Sequence, residues 1–230
     1  MKQFFKSSGF ILFWIIAFAD ILAVAFNNKQ IHLLAKPLLL PVLIFTLLFT
    51  TEACNKNGLI ITGLVFSFMG DVFLLFEDRN AMFFIFGLVC FLLTHLFYIL
   101  FFLSIKSTGE SLLKKRPYLI LLVAAYTLAL LFLLIPTLGP LLIPVILYAV
   151  ILSMMLLCSL QVYRKVVPQS GKLFISGAVF FVVSDSLLAI NKFYAPLAWA
   201  GGFIMTTYCL AQYLIVKGFI KMCPPFTAKN

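Results

Sequence analysis

Residues Gly58 to Phe76, GLIITGLVFSFMGDVFLLF, form an apolar run that is interrupted near its end by one carboxylate, Asp71. The run is close to the length of ~20 residues that a helix needs to span the hydrocarbon core of a bilayer. An acid at the bilayer centre costs at least ~2.5 kcal/mol, so such acids usually face a protein interior or a wet cavity and carry function. This stretch therefore predicts a membrane-spanning helix with a functional carboxylate.

Similar apolar runs fill the rest of the chain, since 64% of its 230 residues are hydrophobic and only 10% are charged. This composition predicts an all-α membrane protein, with residues 1–230 forming a single polytopic helical domain. The first run is interpreted as a retained helix rather than a signal peptide, because Asp20 interrupts it and no small-x-small cleavage site follows. Turn residues between the runs predict eight helices, at about 10–26, 32–50, 58–76, 82–104, 117–135, 139–161, 172–190 and 196–220.

Lysine and arginine residues concentrate on one side of this arrangement. Of the 17, thirteen fall in the two termini and in the loops after the second, fourth and sixth predicted helices; the other four are Lys29, Lys36, Arg79 and Lys192. Because cytoplasmic loops are enriched in these residues, the count predicts eight transmembrane helices with both termini cytoplasmic. Orientation thus explains the net charge of +10 better than nucleic-acid binding does. We expect an integral, multi-pass protein of the cell membrane, or of the inner membrane in a bacterium.

Three acids are predicted to share one level in the outer half of the helices. Asp71 and Asp185 lie about five residues from the outer ends of their helices, or ~7.5 Å, and Asp20 lies ~9 Å from its helix end. Lys36 and Lys192 are expected just above this level. Because seven residues make two helical turns, Asp185 and Lys192 are expected on one helical face.

The fourth predicted helix adds a further face at Gly87, Phe91, His95 and Tyr98, with intervals of four, four and three residues. His95 is expected ~20 Å from the outer end, at the floor of a site rather than its mouth. Several of these residues also have a structural interpretation. Asp20 and His95 could be interhelical hydrogen-bonding groups, and Lys36 could be an anchor that extends to the membrane surface.

Two buried carboxylates can act as acid and base when their surroundings differ, which suits hydrolysis of an acid-labile bond. Serine hydrolase chemistry is disfavoured because the chain has no Gly-x-Ser-x-Gly motif. A metal hydrolase is also disfavoured, since there are two histidines and no His-Glu-x-x-His motif. Intramembrane carboxylates with a lysine are equally typical of a proton-coupled transporter. From the residues alone, enzyme and transporter both remain open.

Five motifs occur in order: Lys36-Pro37-Leu38 with Pro41; Gly70-Asp71; Gly87 to Phe91 with His95 to Tyr98; Gly177-Ala178-Val179-Phe180 running to Ser184-Asp185; and Tyr208 with Ala211-Gln212. In this order they resemble the YhhN/TMEM86 family of eight-helix membrane proteins, which includes lysoplasmalogenase. The resemblance implies a hydrolase that cleaves the vinyl ether bond of lysoplasmalogens, releasing a fatty aldehyde and glycerophosphoethanolamine or glycerophosphocholine.

The resemblance implies that Asp71 and Asp185 are the catalytic pair. The residues expected to bind substrate or support the site are Lys36, His95, Tyr98, Asp20, Ser184, Lys192, Tyr208 and Gln212. His95 and Tyr98 are hypothesised to position water, and Lys36 to meet the lipid phosphate. The expected partners are a lysophospholipid substrate and membrane lipid, without nucleic acid, cofactor or metal.

Overall fold

A computed structural model describes residues 2–51, 57–106 and 111–223, and in these ranges every regular element is a helix. The helices are α1 (Lys2–Ala25), α2 (Lys29–Thr50), α3 (Asn57–Leu74), α4 (Ala81–Ser104), the short α5 (Leu112–Lys115), α6 (Tyr118–Leu134), α7 (Leu142–Val162), α8 (Pro168–Ala189) and α9 (Ala200–Met222). Two 3₁₀ turns join α6 to α7, and a π-helical segment, Ile190–Tyr194, continues α8. The predicted all-α class is confirmed in the described residues.

Each of the eight predicted helices overlaps one of the long helices, but several ends differ. Helix α1 begins at Lys2 rather than near residue 10, and α8 begins at Pro168 rather than near residue 172. The short α5 was not predicted, because four helical residues between loops leave no periodic pattern to recognise.

Seven of the helices are long and apolar enough to cross a membrane, so the chain is an integral, multi-pass membrane protein. The apolar part of α3, Gly58–Leu74, is shorter; 17 residues rise about 26 Å, against a hydrocarbon core of about 30 Å. The eight spans and the cytoplasmic termini therefore stay predictions. Lys56 and Lys229, which were counted on the predicted cytoplasmic side, lie outside the described residues.

Seven of the long helices form a closed ring in the order α1, α2, α3, α4, α7, α8 and α9, and α9 packs back against α1. The most extensive contacts join α8 to α9, α3 to α4 and α1 to α2, which are consecutive long helices with short connections. Helix α6 packs outside the ring, mainly on α7. Large apolar side chains on α6, such as Phe132 and Leu121, are 83% and 71% exposed, as expected for a face that contacts lipid.

The two ends of the ring have different interiors. At the end that holds the last turns of α4 and α9, aromatic side chains fill the core: Phe101 lies 5.6 Å from Phe174 and 5.4 Å from Phe219, measured between ring centroids. At the other end the core contains Asp20, Asp71 and the neighbouring polar residues. The polar end is where the candidate site lies.

Candidate functional site

A cavity of about 190 Å³ opens between α2, α3, α8 and α9, and both Asp71 and Asp185 line it. Lys36 on α2 and Tyr208 on α9 line the same cavity. With Ser184, the fold thus brings together five of the candidate residues, from two pairs of consecutive helices, α2 with α3 and α8 with α9, that are distant from each other in sequence. Asp71 is 2% exposed, and the side chain of Asp185 is 10% exposed.

Asp71 ends a chain of buried hydrogen bonds. Tyr208 Oη donates to Asp71 Oδ2 at 2.6 Å, and Ser67 Oγ lies 2.9 Å from Tyr208 Oη. Gln212 Nε2 donates to Ser67 Oγ at 2.6 Å, and Tyr98 Oη donates to Gln212 Oε1 at 2.7 Å. Because the Tyr208 proton is committed to Asp71, Ser67 must be the donor to Tyr208. Every hydrogen bond in this chain therefore points toward the Asp71 carboxyl group.

Lys36 places a positive charge beside the other oxygen of the Asp71 carboxyl group. Its Nζ lies 3.9 Å from Asp71 Oδ1, and the lysine side chain is only 9% exposed. The lysine comes from α2, just before Pro37. This position inside the cavity differs from that of a surface anchor, so the snorkelling interpretation of Lys36 is wrong.

Asp185 is held by a different pair of groups. Tyr148 Oη donates to Asp185 Oδ2 at 2.6 Å, and His95 Nε2 lies 3.0 Å from the same oxygen. His95 Nδ1 is buried and has no hydrogen-bond partner among the described residues. The tautomer with its proton on Nε2 avoids burying an unpaired N–H, so we assign His95 as a donor toward Asp185 and Tyr148. The second oxygen of Asp185, Oδ1, has no hydrogen bond in the described region.

The expectation that His95 lies at the floor of the cavity is wrong. His95 is fully buried behind Asp185 and does not line the cavity. The depth predicted for Asp185, not that for His95, was in error, because α8 does not stop near residue 190 but continues to Tyr194. Asp185 therefore lies further from its helix end than expected, and His95 meets it. Tyr98 also lies away from the cavity and reaches Asp71 only through the hydrogen-bond chain.

Lys192 does not line the cavity that Asp185 lines. It lies in the π-helical segment that continues α8. Its Nζ donates instead to Glu77 Oε2 at 2.9 Å and lies 4.7 Å from the Phe84 ring centroid. Lys192 therefore links the outer ends of α3 and α8, near the edge of the cavity.

Asp20 and Ser184 make contacts between helices. Asp20 is fully buried, and its Oδ1 lies 2.7 Å from His32 Nδ1 on α2. His32 lines the cavity, so Asp20 acts on the site through this histidine. Ser184 Oγ donates to the carbonyl oxygen of Ile204 at 3.1 Å and so joins α8 to α9 beside Asp185.

The sequence did not predict three residues of the site: Tyr148, Ser67 and His32. For His32, the position that lines the cavity was not predicted. A tyrosine or serine within an apolar run carries no spacing signal, because its partner lies on a helix that is distant in sequence. For His32 a signal was present. It is polar, lies one turn from Lys36 on α2, and so shares that helical face.

A narrow apolar gap of about 30 Å³ adjoins the cavity on the far side of Asp185. Phe84 and Leu88 of α4 and Val145 of α7 line this gap, and Asp185 is common to both spaces. The carboxyl group of Asp185 thus lies between a polar cavity and an apolar one. Such an arrangement suits a substrate with a polar head and an apolar chain.

A comparison with known proteins identifies the family. The family model for the YhhN family matches residues 31–219, which is most of the chain and includes every candidate site residue except Asp20. The chain belongs to the YhhN family. Its YhhN match runs from the start of α2 to the last turns of α9, so it covers the six ring helices after α1.

Two named relatives support this assignment. Lysoplasmalogenase TMEM86A of Homo sapiens is 33% identical over 174 residues, which are 72% of this YhhN chain and 67% of that protein. Lysoplasmalogenase TMEM86A of Bos taurus is 30% identical over 170 residues, with the same coverage of 72% and 67%. No solved structure matches the chain.

Proposed function

We propose that this YhhN-family protein is a membrane-embedded hydrolase that cleaves the vinyl ether bond of a lysoplasmalogen. The products are a fatty aldehyde and a glycerophosphoethanolamine or glycerophosphocholine. The observation that carries the proposal is the pair Asp71 and Asp185, two carboxyl groups with different neighbours that face one cavity. The names of the two TMEM86A relatives supply the substrate class.

The chemistry of a vinyl ether requires an acid and a base. Proton transfer to the outer alkene carbon gives an oxocarbenium ion. Water then adds to the carbon next to oxygen, and the resulting hemiacetal breaks down to aldehyde and alcohol. A carboxylic acid can deliver the proton, and a carboxylate can stabilise the cation and take a proton from water. Asp71 and Asp185 are proposed to divide these two tasks.

Two carboxyl groups can have different protonation states when their surroundings differ. Asp71 has the Lys36 ammonium group at 3.9 Å, whereas Asp185 has the imidazole of His95 at 3.0 Å. In both, a tyrosine donates to Oδ2 at 2.6 Å. These tyrosines fix the orientation of each carboxyl group, so that the reacting oxygen is Oδ1 in both residues.

The substrate is proposed to bind across Asp185. Lys36 and His32 are the basic side chains that line the polar cavity, and they suit the phosphate of the head group. The apolar gap beside Phe84, Leu88 and Val145 suits the first carbons of the alkenyl chain. In this placement the vinyl ether, which joins head and chain, lies beside the two aspartates.

The test is to incubate the purified protein in neutral detergent with a lysoplasmalogen and to measure aldehyde by mass spectrometry. We expect aldehyde from the vinyl ether and none from the matched saturated ether, which has no alkene to protonate. In deuterated water the aldehyde should carry deuterium from the added proton on the carbon next to the carbonyl group.

The same measurement separates the hydrolase from a proton-coupled transporter. Transport needs two compartments, which detergent removes, so product formation in detergent requires an enzyme. If the folded protein gives no aldehyde in detergent or in lipid vesicles, the hydrolase proposal is wrong and the transporter becomes the better explanation. Equal turnover of the saturated ether would contradict the proposed protonation of an alkene.

A further inference from the structure

A second cavity, of about 530 Å³, lies at the opposite end of the helices from Asp71 and Asp185. Four cationic side chains line it: Lys115 at the end of α5, Arg116 just after it, Arg164 after α7, and Lys172 in the first turns of α8. We call it the basic pocket. No residue of the basic pocket belongs to the site described above.

The basic pocket is far from the proposed chemistry. Lys172 and Asp185 are 13 residues apart on α8, which corresponds to about 20 Å along the helix. The two ends of the same helix therefore carry opposite charge, with an acid in one cavity and cations in the other. Membrane orientation accounts for cations on this side, but not for the clustering of four of them around one cavity.

The cations of the basic pocket have no acidic partner in the part of the chain that the structure describes. None of the described lining residues is acidic, and the four cations make no ion pair with any described residue. At the other end of the molecule, by contrast, Lys29 pairs with Asp78 at 3.1 Å and Lys192 with Glu77 at 2.9 Å. Four clustered charges that no described acid pairs with repel one another, and a bound anion would relieve this repulsion.

The lining also contains apolar residues at positions that a lipid chain could reach. Leu112 of α5 and Ile175 of α8 line the same pocket as the cations. Ile175 follows Lys172 by three residues, so the two side chains share a helical face. The cations favour a phosphate, for which the arginine guanidinium offers a matching pair of donors. The apolar residues favour a ligand that continues into a hydrocarbon chain.

We propose that the basic pocket binds the phosphate of an anionic phospholipid, with its acyl chains along α8. Basic pockets between helices at the membrane surface are suited to anionic lipid head groups. The positive-inside count predicts that this end faces the cytoplasm, where anionic lipids attract such cations. The proposal concerns lipid binding only and does not depend on the proposed hydrolase activity.

The test uses the full chain in neutral detergent and native mass spectrometry. The probes are a phosphatidylglycerol and a phosphatidylcholine with the same acyl chains. We expect one phosphatidylglycerol to bind about tenfold more tightly than phosphatidylcholine, and Arg164→Gln with Lys172→Gln to abolish this preference. The charge-keeping pair Arg164→Lys with Lys172→Arg should retain it.

A matched control is Lys106→Gln with Lys114→Gln, which removes the same charge from exposed lysines that do not line the pocket. This control should keep the preference for phosphatidylglycerol to within about twofold. Equal binding of both lipids, or an equal loss in the control, would overturn the proposal. Inorganic phosphate that displaces phosphatidylglycerol at equal concentration would also overturn it, since the pocket would then select a free anion.

Discussion

Each proposed catalytic aspartate receives one hydrogen bond from a tyrosine on another helix. Tyr208 donates to Asp71 and Tyr148 to Asp185, both at 2.6 Å. The two tyrosines differ in what lies behind them: Tyr208 continues into Ser67, Gln212 and Tyr98, whereas Tyr148 contacts His95. A carboxyl group with one oxygen held in this way presents its other oxygen in a fixed direction. We therefore regard both tyrosines as positioning residues.

Replacing Tyr148 by phenylalanine tests this role. The ring still fills its place, but Asp185 loses the hydrogen bond that orients it. We expect kcat for aldehyde release to fall by about tenfold to a hundredfold with little change in KM. Tyr126→Phe is the matched control, because Tyr126 Oη donates to Ser186, next to Asp185, yet lies outside the cavity. An equal loss of kcat in the control would mean that Tyr148 is merely structural.

The sequence indicated the two aspartates but only part of their surroundings. Asp71 stands out in its apolar run, because placing an acid inside the membrane costs free energy. Tyr148 does not stand out, because tyrosine is common in apolar helices, and its partner Asp185 is 37 residues away. Lys36 was identified, but its contact with Asp71 depends on how α2 packs on α3. Pairings between helices are set by tertiary packing, which a single sequence does not encode in any local pattern.

At the scale of the element, the end of α8 changes the site most. The Ala195 amide donates to the Ile190 carbonyl at 3.0 Å, a bond across five residues that defines the π-helical turn. In this segment Lys192 pairs with Glu77 and does not line the cavity. The sequence shows no sign of a π-helical turn, so it could not predict this contact. The faces of the regular helix α4 were predicted well: Gly87, Phe91, His95 and Tyr98 are all buried.

Close packing between α8 and α9 depends on Gly177. A Cβ atom there would lie 2.7 Å from Ile215 Cγ1 and 3.0 Å from the Ala211 carbonyl oxygen. Gly177→Ala should therefore destabilise the protein by about 1–3 kcal/mol, as overpacking usually does. Gly202→Ala is the control, since a Cβ there meets nothing within 4 Å, and it should leave stability unchanged or slightly raised. Thermal unfolding in detergent measures both; an unchanged midpoint for Gly177→Ala would contradict the close contact.

At the scale of the whole molecule, the ring of seven helices separates two chemically different ends. The acids of the candidate site lie at one end, and the basic pocket lies at the other. The positive-inside count predicts that the acidic end faces away from the cytoplasm. This arrangement depends on whether α3 crosses the membrane. The apolar part of α3 is shorter than that of any other long helix.

Labelling with a membrane-impermeant thiol reagent tests this topology. Asp78, after α3, and Lys106, after α4, are both exposed. If α4 crosses the membrane, cysteines at the two positions should react from opposite sides. If α3 crosses as well, Asp78→Cys should react from outside, and its reaction from inside would contradict the predicted crossing of α3. The unmodified chain provides the background from its own cysteines. Reaction of both variants from the same side would contradict the predicted crossing of α4 and the count of eight spans.

The central claim is that Asp71 and Asp185 together cleave a vinyl ether, and the rate of aldehyde release by Asp71→Asn and Asp185→Asn tests it most directly. Asparagine keeps the shape of the side chain but can act neither as acid nor as carboxylate base. Each variant should lose at least about a hundredfold in kcat while eluting as the parent protein does. Asp78→Asn, an exposed acid paired with Lys29, should stay near parental activity. Near-normal turnover by either cavity variant would contradict the claim.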